Sequence, residues 1–172
     1  MARYTKYRRY YRKKNKWSIE QRPGYISPGG WATTTDAFLN RQALIPIVQS
    51  TTQEGVRKAK NLSISIATPA TDNPNNALNN QYYWALIYNP EGTTPNELAS
   101  TGQLYQPSQY VISSGIVTAE QGKIRISSRL ARNLNQGDSI YLLIGTNSNY
   151  LSTSDEVSTR FYYLVRYAIC YN

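Results

Sequence analysis

The chain has 172 residues, which suits one domain, and its hydrophobic content of 40% is enough for a packed core. It contains no histidine and one cysteine, Cys170, which excludes a disulfide framework and a cysteine-rich zinc site and removes the commonest general base. The formal net charge of +9 favours a polyanionic partner.

The positive charge is concentrated at the amino terminus. Residues 1–16 hold eight of the 19 Lys and Arg and none of the Asp and Glu, whereas residues 17–172 carry only +1. Blocks of like charge are usually disordered interaction segments. We therefore predict a disordered arm, residues 1–17, that binds nucleic acid through Arg3, Lys6, Arg8, Arg9, Arg12, Lys13, Lys14 and Lys16 together with Tyr4, Tyr7, Tyr10, Tyr11 and Trp17.

The aromatic residues of the arm favour an unpaired strand as its ligand. Cations bind phosphate without sequence preference, and stacking of an aromatic ring on an unpaired base adds about 1–3 kcal/mol. A purely solubilising tail gains little from four tyrosines. The arm also fits the basic-cluster pattern of a nuclear localisation signal. No apolar run is long enough to span a bilayer and none follows the arm as in a signal peptide, so we expect no membrane insertion.

Short strands separated by turn residues follow the arm. Residues 18–36, rich in Gly, Pro, Ser and Thr, are predicted to be an extended connector, and residues 37–172 a single domain. Residues 43–48 form a strand that Pro46 places at an edge or a bulge. Residues 60–68 alternate, with Leu62, Ile64 and Ile66 predicted on the core side and Ser63, Ser65 and Ala67 on the other.

A second basic cluster, Arg57, Lys58 and Lys60, precedes this alternation. It is either a solvated strand end or an interior basic patch on the inner surface of an assembly.

The remaining strands are mostly apolar. Residues 81–89 are apolar on both faces, as in a central strand, and residues 109–121 hold two short strands broken at 113–115. Strands at 123–130, 139–147 and 160–170 follow, and the last is predicted to be buried on most of both sides. About eight strands and no capped helix predict an all-β fold, a single antiparallel eight-stranded jelly-roll sandwich.

The sequence offers no catalytic or metal-binding cluster. Acidic residues are sparse and scattered, and no phosphate-binding glycine loop or nucleophile elbow is present. We expect no enzymatic activity, no cofactor and no metal site. Cys170 has apolar neighbours and is predicted to be a small buried hydrophobe, and the sequon Asn61-Leu62-Ser63 lies inside a predicted strand and is read as chance.

Four segments resemble the capsid proteins of small circular single-stranded DNA viruses, circovirus-like and close to nanoviruses in size. They are MARYTKYRRYYRKK, VRKAKNLSISIATP, RNLNQGDSIYLLIG and RFYYLVRYAICYN. The resemblance implies a homo-oligomeric, sixty-copy T=1 icosahedral shell of jelly rolls whose arms point inward and package single-stranded DNA. It also implies a location in the virion and the host nucleus, with a nuclear import receptor as a further partner.

The alternative is a cellular single-strand nucleic-acid-binding β-barrel. Such a barrel exposes aromatic side chains on one sheet face beside basic residues. Here the aromatic strands are predicted to be buried on both sides, which favours the capsid hypothesis.

Overall fold

The computed structural model describes residues 16–27, 32–33, 41–67, 81–95, 110–118, 123–146 and 161–171. This part of the chain contains ten strands and no α-helix. The strands are β1 (Ser18–Ile26), β2 (Ala32–Thr33), β3 (Arg41–Val48), β4 (Arg57–Ala67), β5 (Gln81–Asn89), β6 (Val111–Thr118), β7 (Lys123–Ser128), β8 (Arg132–Leu134), β9 (Ser139–Thr146) and β10 (Phe161–Tyr171). Residues 1–15 of the predicted arm lie outside the described residues.

The strands form two antiparallel sheets. One, the β4 sheet, has the order β1-β10-β4-β7, and β8 pairs with the start of β4. The other, the β9 sheet, has the order β2-β3-β9-β5-β6. Apart from the short β2 and β8, each sheet has four long strands, and strands that follow each other along the chain mostly change sheet. This arrangement confirms the predicted all-β jelly-roll sandwich.

One hydrophobic core lies between the sheets. The alternation in β7 places Ile124 and Ile126 inside, where Ile126 is directly opposite Ile64 of β4. The β9 sheet contributes buried side chains such as Ile45 and Leu142. Full burial of each such side chain contributes about 1.5–3 kcal/mol before the conformational entropy is subtracted.

The β9 sheet also has an apolar cluster on its outer side. Ala85, Ile87 and Leu143 are fully buried there, and Leu44, Tyr83, Tyr110 and Val111 pack against them. The strand β5 therefore contacts apolar groups on both faces and lies between β9 and β6, as the sequence of residues 81–89 predicted.

The connector prediction is wrong for residues 18–26. These residues form β1, which pairs with β10 from Ser18 to Ile26. As an edge strand, β1 tolerates Pro23, whose missing N–H removes no interior hydrogen bond. Gly24 is required by close packing, because a Cβ there would overlap the ring of Tyr163 on β10. These features gave β1 a turn-like composition without a clear alternation.

The predicted break at residues 113–115 is also wrong. One strand, β6, runs through Ser113, Ser114 and Gly115. Gly115 lies against the ring of Trp84, and a Cβ would stand 3.1 Å from that ring, so the small residue serves packing and not a turn. The predicted irregularity at Pro46 is confirmed by a register shift between Pro46 and Val48 in the β3–β9 pair.

The last strand is buried on one side only for most of its length. Val165, Tyr167 and Ile169 lie in the core, but Tyr162 is 57% exposed and Leu164 45% exposed. The prediction of burial on both sides is therefore wrong for this part of β10. It holds at Cys170, which is fully buried.

Candidate nucleic-acid interface

The outer face of the β4 sheet, directed away from the core, carries a concentration of positive charge. Residues directly opposite each other in neighbouring strands point to the same side of a sheet, so the register identifies its members. Two rows cross β1, β10, β4 and β7 in that order. The first row consists of Tyr25, Tyr162, Ala67 and Lys123, and the second of Pro23, Leu164, Ser65 and Arg125. Further along, Arg166 lies beside Ser63, Ala168 beside Lys60, and Lys58 beside Asn133. We call this surface the cationic face; its cations are Lys58, Lys60, Lys123, Arg125 and Arg166.

A β-bulge places two of these cations on the outer side. The pairing of β4 with β10 shifts between Arg166 and Ala168, and Asn61 has a φ of 54°, in the left-handed region. One extra residue reverses the alternation. Lys58 and Lys60 thus share a face with Ser63, although strict alternation would place both lysines in the core beside Leu62.

No acidic side chain of the described residues lies on the cationic face itself. Glu20 is in β1 but stands opposite the core residue Tyr167, hence on the other side of the sheet. Glu54 and Glu91 lie outside the strands, and Asp138 is buried. Among the described residues, the five cations therefore have no compensating carboxylate beside them, which favours a bound anion.

The predicted arm joins the domain on this face. Lys16 and Trp17 are its described residues and directly precede β1. The Nζ atom of Lys60 lies 3.7 Å from the centroid of the Trp17 ring, a cation–π contact worth about 0.5–1 kcal/mol at an exposed site. Trp17 is thereby held on the cationic face and remains 36% exposed.

Arg57 does not belong to the predicted interior patch. It is 4% exposed, and its guanidinium donates to the main-chain oxygens of Gln49 at 3.0 Å and Asp138 at 2.9 Å. Arg57 directly precedes Lys58, with no bulge between them. Alternation along the strand therefore directs Arg57 to the core side and Lys58 to the outer side. Only Lys58 and Lys60 remain from that patch.

The carboxylate of Asp138 fixes the turns that contain Glu91 and Asn135. Asp138 is 3% exposed and accepts hydrogen bonds from the Tyr88 hydroxyl at 2.6 Å, the Asn135 N–H at 2.7 Å and the Glu91 N–H at 3.1 Å. Burial, followed by the hydrogen bond and the charge of Asp138, raises the pKa of Tyr88 to about 12. The Asp138 carboxylate is buried and serves structure, whereas Tyr88 is partly exposed and lines a shallow open pocket with Lys58 and Arg132.

Sequence reasoning missed part of the face, namely Lys123, Arg125, Arg166, Tyr25 and Tyr162. A signal existed for the first two, since KIRISS alternates charge with isoleucine. That Lys123 and Arg125 lie near β10 follows only from the sheet order, in which β4 lies between β7 and β10. The other predicted residues of the arm lie outside the described residues; they are Arg3, Tyr4, Lys6, Tyr7, Arg8, Arg9, Tyr10, Tyr11, Arg12, Lys13 and Lys14.

Within the described ranges, no three His, Cys, Asp or Glu side chains come together as a metal site would require. The same residues include no helix long and apolar enough to cross a membrane.

The sequence matches no protein-family profile and no curated protein. Similar solved structures include a chain of Desmodium yellow mottle tymovirus, with 14% identity, a TM-score of 0.39 and coverage of 94% of this chain and 91% of that one. Murine APRIL has 11% identity, a TM-score of 0.36 and coverage of 84% and 98%. The Cowpea mosaic virus empty virus-like particle has 8% identity, a TM-score of 0.35 and coverage of 82% and 83%. Likenesses this distant carry no argument about function, which is argued below from the chain's own residues.

Proposed function

We propose that the chain is a viral capsid protein that assembles into a closed shell and packages single-stranded nucleic acid. The observation that carries the proposal is the cationic face: five cations, no acidic side chain of the described residues on that face, and the start of the arm on the same side. A shell protein needs nucleic-acid contacts on one side only, and the cationic face supports this proposal because its five cations lie on the outer side of one sheet.

The charge available in a shell is substantial. Sixty arms of +8 supply roughly 480 positive charges, and the five cations of each face raise the total to roughly 780, each able to release a counterion from a phosphate. Sixty copies, DNA as the packaged nucleic acid, and nuclear import through the arm are the finer parts of the proposal, and they rest on the sequence resemblance. The chain has no enzymatic role in this proposal.

Electron microscopy of the purified full chain tests assembly. We expect closed particles of uniform size whose 260/280 nm absorbance ratio shows nucleic acid. Removal of residues 1–15 leaves every described residue in place, so we expect particles or folded subunits with much less nucleic acid. Small soluble species under all conditions would contradict the shell, and an unchanged absorbance ratio after the deletion would contradict packaging by the arm.

One observation favours a second candidate, a single-strand-binding protein that acts as a monomer or small oligomer. The expectation that the aromatic strands of this chain are buried on both sides is wrong for β10, since Tyr162 is 57% exposed on the same face as Lys123, with Tyr25 of β1 58% exposed next to it. Both candidates bind single strands, so binding does not separate them. The mass of the assembled species does, because only the capsid proposal requires closed particles.

A further inference from the structure

The outer side of β4 is lined by small residues, whereas its two neighbours carry large ones. Ser65 and Ala67 form the floor of a trough. Tyr162 and Leu164 of β10 stand on one side, and Lys123 and Arg125 of β7 on the other. Neighbouring strands are about 4.8 Å apart, so the strands that bear the two walls are about 10 Å apart. The result is an open groove of about 390 Å³, which we call the β4 trough.

The two walls differ in chemistry. The β10 wall is aromatic and apolar, and Tyr162 keeps 57% of its surface exposed. Tyr25 lies beside it, with the ring centroids 6.4 Å apart and the planes at 52°. The β7 wall is cationic, since the exposed outer residues Lys123 and Arg125 are both positively charged. A ligand that fits has flat apolar faces along one edge and anions along the other.

We propose that the β4 trough binds one unpaired nucleic-acid strand, with bases against Tyr162 and phosphates against Lys123 and Arg125. This inference rests on the proposed function and specifies where the strand lies on the domain. A duplex keeps its bases in its own stack, so it meets only the cationic wall. Stacking accepts any base, so binding in the trough is independent of sequence.

The trough lies on the same face as Trp17, the last residue of the predicted arm. The residues of β4 from Ala67 to Lys60 span about 23 Å at about 3.3 Å per residue, and Lys60 contacts Trp17. Arg166 lies between these ends, opposite Ser63. A strand that leaves the arm at Trp17 can therefore follow β4 past Arg166 into the trough.

The first test separates stacking from charge at Tyr162. Binding of the full chain to a labelled oligo-dT is measured by fluorescence anisotropy at high salt, where phosphate contacts are weakest. We expect Tyr162→Leu to weaken binding about 5- to 150-fold and Tyr162→Phe to retain it. Tyr171→Leu is the matched control, because Tyr171 is on the same strand and equally exposed at 57% but lies outside the trough.

The second test concerns the cationic wall. Arg125→Ser should make the slope of log K against log salt less negative by about 0.7, the value for one phosphate contact on a single strand. Arg22→Ser removes the same charge from β1, on the other side of the sheet opposite Val165, and should change the slope less.

Crosslinking locates the bases directly. The full chain is irradiated with an iodouridine-substituted single strand, and the adducts are mapped by mass spectrometry. Adducts on Tyr162 or Tyr25 support the trough. Adducts confined to residues 1–17, or equal affinity of wild type and Tyr162→Leu for oligo-dT at high salt, overturn it and leave packaging by the arm intact. Absence of any single-strand binding by the wild-type chain refutes the packaging proposal as well.

Discussion

Asn61 determines which side chains of β4 lie on the cationic face, and its conformation can be tested by substitution. Its φ of 54° lies in a region that L-residues other than Gly, Asn and Asp seldom adopt. The residue is exposed, so its side chain contributes little to the core. Asn61→Gly and Asn61→Val both remove the amide group but differ in their tolerance of this conformation.

The expected magnitudes follow from the backbone. The left-handed conformation costs a residue with a Cβ roughly 1–2 kcal/mol, and a β-branched residue is least able to adopt it. We expect Asn61→Val to lower the free energy of unfolding by about 1–2 kcal/mol. Glycine removes this strain but loses about 0.5–1 kcal/mol in backbone entropy, so Asn61→Gly should stay close to wild type.

Urea denaturation followed by tyrosine and tryptophan fluorescence measures these differences. Equal stability of the Val and Gly variants would refute the argument that the left-handed bulge is retained in solution. Deletion of Asn61 removes the extra residue of the bulge, so that Lys60 directly precedes Leu62 and regular alternation still places Lys58 and Lys60 on the outer side. We therefore expect this variant to fold, and its failure to fold would contradict the assignment of Asn61 as the extra residue. Deletion of Glu54 from the exposed loop before β4 is the control for a one-residue deletion and should also be tolerated.

Three further predictions concern the packing of the domain. Asp138→Asn should lower the free energy of unfolding by about 1–3 kcal/mol in the same denaturation assay, because the NH₂ group of asparagine replaces one accepting oxygen and leaves at least one N–H or O–H donor without an acceptor. A change below about 0.3 kcal/mol would contradict this. The folded state favours the neutral form of Tyr88, whose pKa is about 12 against an ordinary value of 10.0. Its contribution to the free energy of unfolding is therefore complete below pH 10 and is lost as the pH rises through about 12. Tyr88→Phe should therefore show a smaller decline of the unfolding midpoint between pH 10 and 12, and an identical decline would refute the assignment. Gly24→Ala should destabilise the fold by about 1–3 kcal/mol, since the new methyl group displaces the Tyr163 ring, whereas Ser18→Ala on the same strand should have little effect.

The sequence predicts those strands that have one buried and one exposed face. The alternation in β4 beyond the bulge and in β7 is unambiguous, because isoleucine and polar residues take turns. It does not predict β1, an edge strand that is mostly exposed on both sides. Nor does it predict the exposure of Tyr162 and Leu164, since β10 is rich in apolar and aromatic residues on both faces and only the sheet packing decides which face is covered.

The candidate site is harder to predict because it is assembled from strands distant in sequence. Arg57, Lys58 and Lys60 look like one cluster, but Arg57 is buried and only the two lysines reach the outer face. The bulge at Asn61 decides that the two lysines face outward and Arg57 inward, and an Asn–Leu pair within a strand gives no signal for it.

Net charge alone is a poor guide to this domain. A total of +1 for residues 17–172 predicts a neutral domain with a basic arm attached. The structure shows instead an uneven distribution of charge: five of the described cations occupy the outer face of the β4 sheet, and the described carboxylates lie elsewhere. The outer side of the β9 sheet, by contrast, carries an apolar cluster. A monomeric binder requires only the cationic face, whereas a shell requires that the two outer faces of the sandwich differ, because one meets the packaged strand and the other does not. The difference between the two sheets is therefore a reason to test assembly before binding.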